Sequence, residues 1–227
     1  RWCLWLKDAA PTDVVKMAPI RRRVEAVRAW RQKSGRETTR QLSATPALFA
    51  EIRQPDGPYL AFPTLSSEHR PYIPIAFLSA ETVASNQVYV IAQAERYHFG
   101  ILTSTMHMAW VRAVCGRLES RYRYSAGIVY NNFPWPESTE TQRKAIESAA
   151  KDVLDARAKF PGSTLADLYD PVSMPPELAR AHADLDRAVD KAYGRAAFAS
   201  EMERVAFLFE RYEALTRPLL PPTRPER

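Results

Sequence analysis

Glu119, Arg121 and Arg123 stand at alternate positions just before an aromatic, proline-rich run, Asn131-Asn-Phe-Pro-Trp-Pro136. If 117–124 is extended, this spacing puts the carboxylate and both guanidinium groups on one face, with Ser120, Tyr122 and Tyr124 on the other. An ionised carboxylate only accepts hydrogen bonds and a guanidinium only donates them, so the pair suits a ligand edge that offers both functions. A G·C base pair has such an edge: cytosine N4 donates, while guanine O6 and N7 accept. One G·C pair would satisfy Glu119 and Arg121 together. The competing reading is a surface salt bridge between the two. Arg123 suits a base or a phosphate, and loss of a phosphate contact would weaken all sequences alike. The run from Asn131 to Pro136 reads as architecture, since Asn tolerates unusual backbone, proline fixes the path and the aromatic rings can pin the turn.

Other chemistries are poorly supplied. The 227 residues include seven glycines and contain neither G-x-G-x-x-G nor G-x-x-x-x-G-K-[ST], so no dinucleotide or P-loop site is expected. G-x-S-x-G and H-E-x-x-H are missing too, and with them two common hydrolase signatures. Cys3 and Cys115 are the only cysteines; they lack metal-ligand spacing and read as buried thiols. His98 and His107 have no acidic company and read as structural. Asp184, Asp186 and Asp190 interleave with Arg180, Arg187 and Lys191, the pattern of ion pairs on a solvated helix face. No catalytic residue, metal site or cofactor site is expected in this chain.

The elements that would position the reading edge follow from periodicity and proline. Residues 1–6 alternate large apolar groups like a buried strand. A helix is predicted over 12–34, broken or restarted at Pro19, with an apolar stripe of Ile20, Val24, Val27 and Trp30 and a basic face of Arg21, Arg22, Arg23, Arg28 and Arg31. That face is either solvated or tracks phosphates. Short extended pieces, Tyr59–Phe62, Tyr72–Leu78 and Gln87–Ile91, are punctuated by Pro55, Pro58, Pro63 and Pro74, which suits edge strands of a small irregular sheet. Helix returns over 93–115, then strands at 117–124 and 128–130. Beyond Pro136, helices are predicted over 137–159, from Pro175 or Pro176 to about 193, and over 199–215, with facing apolar stripes that suit a three-helix cluster. The fold class is α+β: a small irregular mixed or antiparallel sheet with helices, followed by an all-α cluster. The expected divisions are 1–136, 137–216 and a Pro/Arg-rich tail over 217–227.

The formal charge of +6 is unevenly spread: residues 1–136 carry 18 Lys and Arg against 10 Asp and Glu, whereas 137–227 carry 14 against 16. A polyanion is therefore pointed at the first part only. No run of about 18 apolar residues or signal peptide is present, and the composition reads as that of a soluble cytoplasmic protein. The start at Arg1 instead of Met reads as a piece cut from a longer protein.

Several long motifs resemble one family. They are Ser66-Ser-Glu-His-Arg-Pro-Tyr-Ile-Pro-Ile-Ala-Phe-Leu78, Thr103-Ser-Thr-Met-His-Met-Ala-Trp-Val-Arg112, Tyr130-Asn-Asn-Phe-Pro-Trp-Pro136, Leu165-Ala-Asp-Leu-Tyr-Asp-Pro171 and Met174-Pro-Pro-Glu-Leu178. In this order they resemble MmeI-type DNA methyltransferases, bacterial restriction-modification and phage-defence enzymes, over nearly all of 1–215. The resemblance implies a DNA target-recognition domain followed by a C-terminal helical domain. It implies that S-adenosylmethionine binding and adenine handling lie upstream, in a methyltransferase domain of the same polypeptide that a nuclease can accompany, so that this chain alone methylates nothing. It further implies that Glu119 and Arg121 read bases, that Thr64 and Asn86 fall near other reading positions, and that double-stranded DNA is the partner. Arg123, Arg117 and Arg70 would meet backbone or base, and Arg21, Arg22 and Arg28 phosphates. The alternative function is a protein-interaction module with a basic surface that does not bind DNA.

Overall fold

A computed structural model describes residues 2–217, in two compact units that divide between Arg53 and Gln54. In the first unit, residues 2–6 form no strand, Trp2 lies fully in solvent and Cys3 is exposed. The expected buried strand and the expected buried Cys3 are both corrected. Alternating large residues make a strand only where backbone partners exist, and the elements that follow in this unit are helical. Trp5 stacks on Phe49 instead, with ring centroids 5.6 Å apart.

Helices α1 (Pro11–Lys16), α2 (Ala18–Gln32) and α3 (Glu37–Gln41) follow, and Pro19 sits in the first turn of α2, where its missing N–H leaves no bond unmade. The apolar stripe of α2 stays largely outside: Ile20 and Val24 are half-buried, and Val27 and Trp30 are exposed. Arg31, expected on the solvated face, is instead 9% exposed. Its guanidinium donates to the carbonyls of Leu42 and Thr45, each at 2.9 Å, and of Leu48 at 2.7 Å. A rigid planar fork can hold several carbonyls at once, so one side chain organises the irregular backbone after α3.

The second unit holds two three-stranded antiparallel sheets. In one, β1 (Tyr59–Pro63) lies between β3 (Ala76–Leu78) and β4 (Val88–Ala92). In the other, β6 (Arg121–Arg123) lies between β2 (Leu65–Ser66) and β5 (Gly116–Leu118). The piece expected over 72–78 is strand only from Ala76 on, beyond Pro74, which has no N–H to give a ladder. The helix expected over 93–115 is two, α4 (Arg96–Leu102) and α5 (Thr105–Val114), because Ser104 caps the second through the N–H of His107. The stretch 128–130, expected as strand, belongs to one turn of π-helix, Ala126–Tyr130.

Helices α6 (Glu140–Ala158), α7 (Leu165–Leu168), α8 (Pro176–Ala192) and α9 (Glu201–Thr216) complete the unit. The fold is α+β, with small antiparallel sheets and a helical cluster after them. That cluster is not self-contained: α6 packs on both α8 and α4, and α9 packs on α5. One apolar core therefore runs from Leu60 through Phe99, Trp110, Phe133, Ile146 and Leu185 to Leu208. Of the expected tail over 217–227, all but Arg217 lies outside the described residues.

Polar groups cross this core on partners drawn from distant chain segments. Arg157 donates to the Ile75 carbonyl at 2.6 Å and to the Tyr169 hydroxyl at 2.8 Å, and that hydroxyl meets His182 Nε2 at 2.6 Å. Asp186 accepts from the Tyr72 hydroxyl and from the Thr105 N–H, both at 2.7 Å, so it caps α5 from another helix. Asp190 pairs with Arg204 at 2.7 Å. The wet helix face expected for the aspartates holds for Asp184, paired with Arg187 in solvent, but not for Asp186 or Asp190. Their neighbours come from distant chain segments that a helical spacing does not reveal.

Replacing Arg31 by Met strands three carbonyls and is expected to cost about 2–4 kcal/mol. Faster hydrogen exchange over 33–50 than in the second unit checks this. Gly100 on α4 is the close-approach point of the core: an added Cβ would lie 2.6 Å from Ile146 Cγ2 and 3.3 Å from Leu185 Cδ1. Gly100→Ala is expected to lower the melting temperature, since overpacking by about 1–3 kcal/mol outweighs the gain of about 0.5–1 kcal/mol in helix propensity.

Candidate nucleic-acid interface

The segment 117–124 is not one strand but a tight hairpin, with Leu118 opposite Arg121 and Arg117 opposite Tyr122. Glu119 and Ser120 form the two-residue turn. Glu119 takes φ +56°, left-handed backbone that favours glycine and costs a side-chain-bearing residue on the order of 1 kcal/mol. The expected common face is thus replaced by a hairpin tip, with Arg121 and Arg123 on one face of β6 and the buried Tyr122 on the other. The two side chains still meet: Arg121 Nη2 donates to Glu119 Oε2 at 2.7 Å, with the side chains 45% and 75% exposed. So exposed an ion pair is worth about 0–1 kcal/mol.

The hairpin is short, and its attachment to the core is aromatic. Tyr122 is 4% exposed, and the hydroxyl of buried Tyr124 meets His107 Nε2 at 3.0 Å. Tyr124 also packs edge-on against Phe62, centroids 4.9 Å apart, while His107 meets Phe133 edge-on at 4.7 Å. Phe133 belongs to the Asn-Asn-Phe-Pro-Trp-Pro run, whose architectural role is visible in its bonds: Asn132 Nδ2 donates to the carbonyls of Gly127 and Ile128, and the Tyr193 hydroxyl donates to the Pro134 carbonyl at 2.9 Å.

Thr64 joins the two sheets. Its N–H and hydroxyl both donate to the Gln87 carbonyl, at 2.9 and 3.1 Å, and its own carbonyl accepts from the Tyr124 N–H at 2.9 Å. The structure therefore brings Thr64, the exposed turn at Asn86 and the strand bearing Arg121 and Arg123 into one neighbourhood. Arg70 follows the turn after β2, half-buried, and its Nε has no hydrogen-bond partner among the described residues. Arg21, Arg22 and Arg28 are exposed on α2 and belong to the other unit.

Two residues took on meaning only through the fold. Arg117 lies on the Tyr122 face of the hairpin, its guanidinium 4.0 Å above that ring, and donates to the Ser120 carbonyl at 3.2 Å. Glu68 was missed altogether. The neighbouring Ser120 hydroxyl favours its ionised form and holds it below the usual carboxylate range. The only available signal was register: Ser66 faces Tyr122, so the same antiparallel ladder carried two residues on brings Glu68 to Ser120. No group of three or more metal-ligating side chains occurs among the described residues. No helix there is long and apolar enough to cross a membrane.

Residues 1–137 match the family described as MmeI, target recognition domain, and residues 138–220 match MmeI, C-terminal domain. The chain belongs to the MmeI family. It is similar to DNA methyltransferase A of Bacillus subtilis (strain 168), 42% identical over 216 residues, which cover 95% of this chain and 24% of that protein. It is also similar to the Type IIL restriction-modification enzyme MmeI, solved in complex with DNA, with a TM-score of 0.92 and 49% identity over 95% of this chain and 29% of that one. The chain spans less than a third of the length of these MmeI-family relatives.

The support beneath the hairpin is sensitive to acid. Burial pushes His107 and His182 down to about 3, against about 6.5 in an unfolded chain. As pH falls below about 6.5 the unfolded state binds protons that the folded state refuses, so the stability present above that pH is progressively lost. Burial raises Asp186 to about 6, which restores some stability between about pH 6 and 4, but one carboxylate opposes two imidazoles. Urea unfolding is expected to show a net loss on acidification. His107→Gln should reduce its slope by about 1.4 kcal/mol per pH unit between pH 6 and 4.

Proposed function

We propose that the chain is the DNA sequence-recognition part of a bacterial S-adenosylmethionine-dependent DNA adenine methyltransferase of the restriction-modification or phage-defence kind. Residues 1–136 form the recognition domain and 137–216 the helical domain that supports it. Cofactor binding and methyl transfer belong to another part of the same cytoplasmic protein, and this chain by itself is not an enzyme. The observation that carries the reading is the exposed Glu119–Arg121 pair at a rigid hairpin tip, in a family one of whose members was solved with DNA.

Glu119 accepts from cytosine N4 and Arg121 donates to guanine O6 and N7, so the two read one G·C pair. Their mutual ion pair is no obstacle: an exposed pair worth about 0–1 kcal/mol gives way to base contacts of about 1–3 kcal/mol each. Until DNA arrives it keeps both side chains at the tip. Thr64 and Asn86, next to the same strand, read flanking positions. Arg123 and Arg70 contact backbone or base, and Arg21, Arg22 and Arg28 follow phosphates, a role in keeping with the basic balance of 1–136.

A Glu119→Lys, Arg121→Asp exchange in the natural full-length protein tests the reading. The exchanged pair still carries opposite charges, so the tip keeps its ion pair while its donors and acceptors trade places. Methylation mapping is expected to show altered preference at one position of the site, with the base pair inverted. An unchanged recognition sequence would refute the assignment.

A further inference from the structure

We propose that Arg117 is a positioning residue for base reading: stacked on Tyr122 and tied to the hairpin turn, it holds Glu119 and Arg121 in their reading pose and does not itself contact DNA. The inference rests on the proposal that Glu119 and Arg121 read one base pair.

Register places Arg117 on the far side of the reading hairpin. It stands directly opposite Tyr122, while Leu118 stands opposite Arg121 and Gly116 opposite Arg123. Directly opposed residues share a face and neighbours along a strand alternate. Arg117 and the buried Tyr122 therefore occupy one face, and Arg121 and Arg123 the other. A side chain reaching a base edge beside Arg121 would have to cross the hairpin.

Its guanidinium is already engaged where it lies. One side covers the Tyr122 ring at 4.0 Å, and Nη1 donates to the Ser120 carbonyl at 3.2 Å. Glu68 lies in the turn after β2, and Ser120 and, more weakly, Arg117 hold its carboxylate below the usual range. Ser120 is thus held through its carbonyl. The turn it shares with Glu119 needs such a hold, because Glu119 is kept at φ +56° with no glycine to relax it. Release of Ser120 would free the turn, and both reading groups would lose their common direction. Lysine is a poor substitute, since an ammonium does not lie flat on the ring while it bonds the carbonyl.

The test uses the natural full-length protein, selection from a duplex library with every site position randomised, and salt titration of binding. The base pair concerned is located first with the Glu119→Lys, Arg121→Asp exchange. Arg117→Met is expected to flatten preference at that same position by about five- to ten-fold, with preference elsewhere and the salt dependence unchanged. Arg117→Lys keeps the charge and should show the same local loss, which guards against a Met variant that fails to fold. Tyr122→Phe keeps the ring and should read normally. The inference is overturned if Arg117→Lys retains full discrimination. It is also overturned if Arg117→Met weakens binding to all sequences alike and lowers the salt slope by about one, the mark of a phosphate contact. If the exchange itself shifts no position, the reading pair fails and this inference falls with it, whatever the Arg117 variants do.

Discussion

The hydrogen bond between the Tyr124 hydroxyl and His107 Nε2, 3.0 Å long inside the core, is the contact on which the hairpin at 116–123 hangs. Strands β5 and β6 have three residues each, and a hairpin that small does not hold its shape in water. Its geometry must come from what it is fastened to. Tyr122 and Tyr124 supply the fastening on one face, and the other face leaves Arg121 and Arg123 exposed. Burial keeps His107 in its neutral form. The same ring packs against Phe133, so the aromatic turn and the hairpin share one support.

A second constraint ties that support to the helices beyond Pro136. Arg157 and Asp186 carry polar groups into the core and hydrogen-bond residues before Pro136, and His182 stacks on Tyr72 there. An unpartnered buried polar group costs about 1–3 kcal/mol and a charged one more, so helices and sheets are held in one arrangement. The consequence for recognition is stiffness. Base reading needs groups placed to within a fraction of an ångström, and short strands on a shared core are placed more firmly than a loop on its own.

Much of this was legible in residue order. The complementary chemistry of Glu119 and Arg121, the punctuation of the short strands by proline, the amphipathic helices after Pro136 and the architectural reading of the Asn-Asn-Phe-Pro-Trp-Pro run all follow from local pattern. The motifs from Ser66 to Leu178 carried the family resemblance. The misreadings share one cause. The strand expected at 1–6, the solvated Arg31 and the wet-face Asp186 were judged from neighbours in sequence, whereas their surroundings are set by residues that arrive from elsewhere in the chain.

Sequence by itself determined the chemical inventory: which groups donate, which accept, where proline forbids a ladder bond, and that positive charge concentrates before residue 137. Tertiary structure decided which groups share a face. The period of two placed Glu119 in line with Arg121 and Arg123, yet a turn at 119–120 lifted it out of the strand to a tip, and pairing across that turn sent Arg117 to the opposite side with Tyr122. Alternation along a strand is a local rule that any extended segment obeys. Where a strand folds back, and what lies beneath it, depends on the burial of distant aromatic residues, which no spacing within 117–124 records.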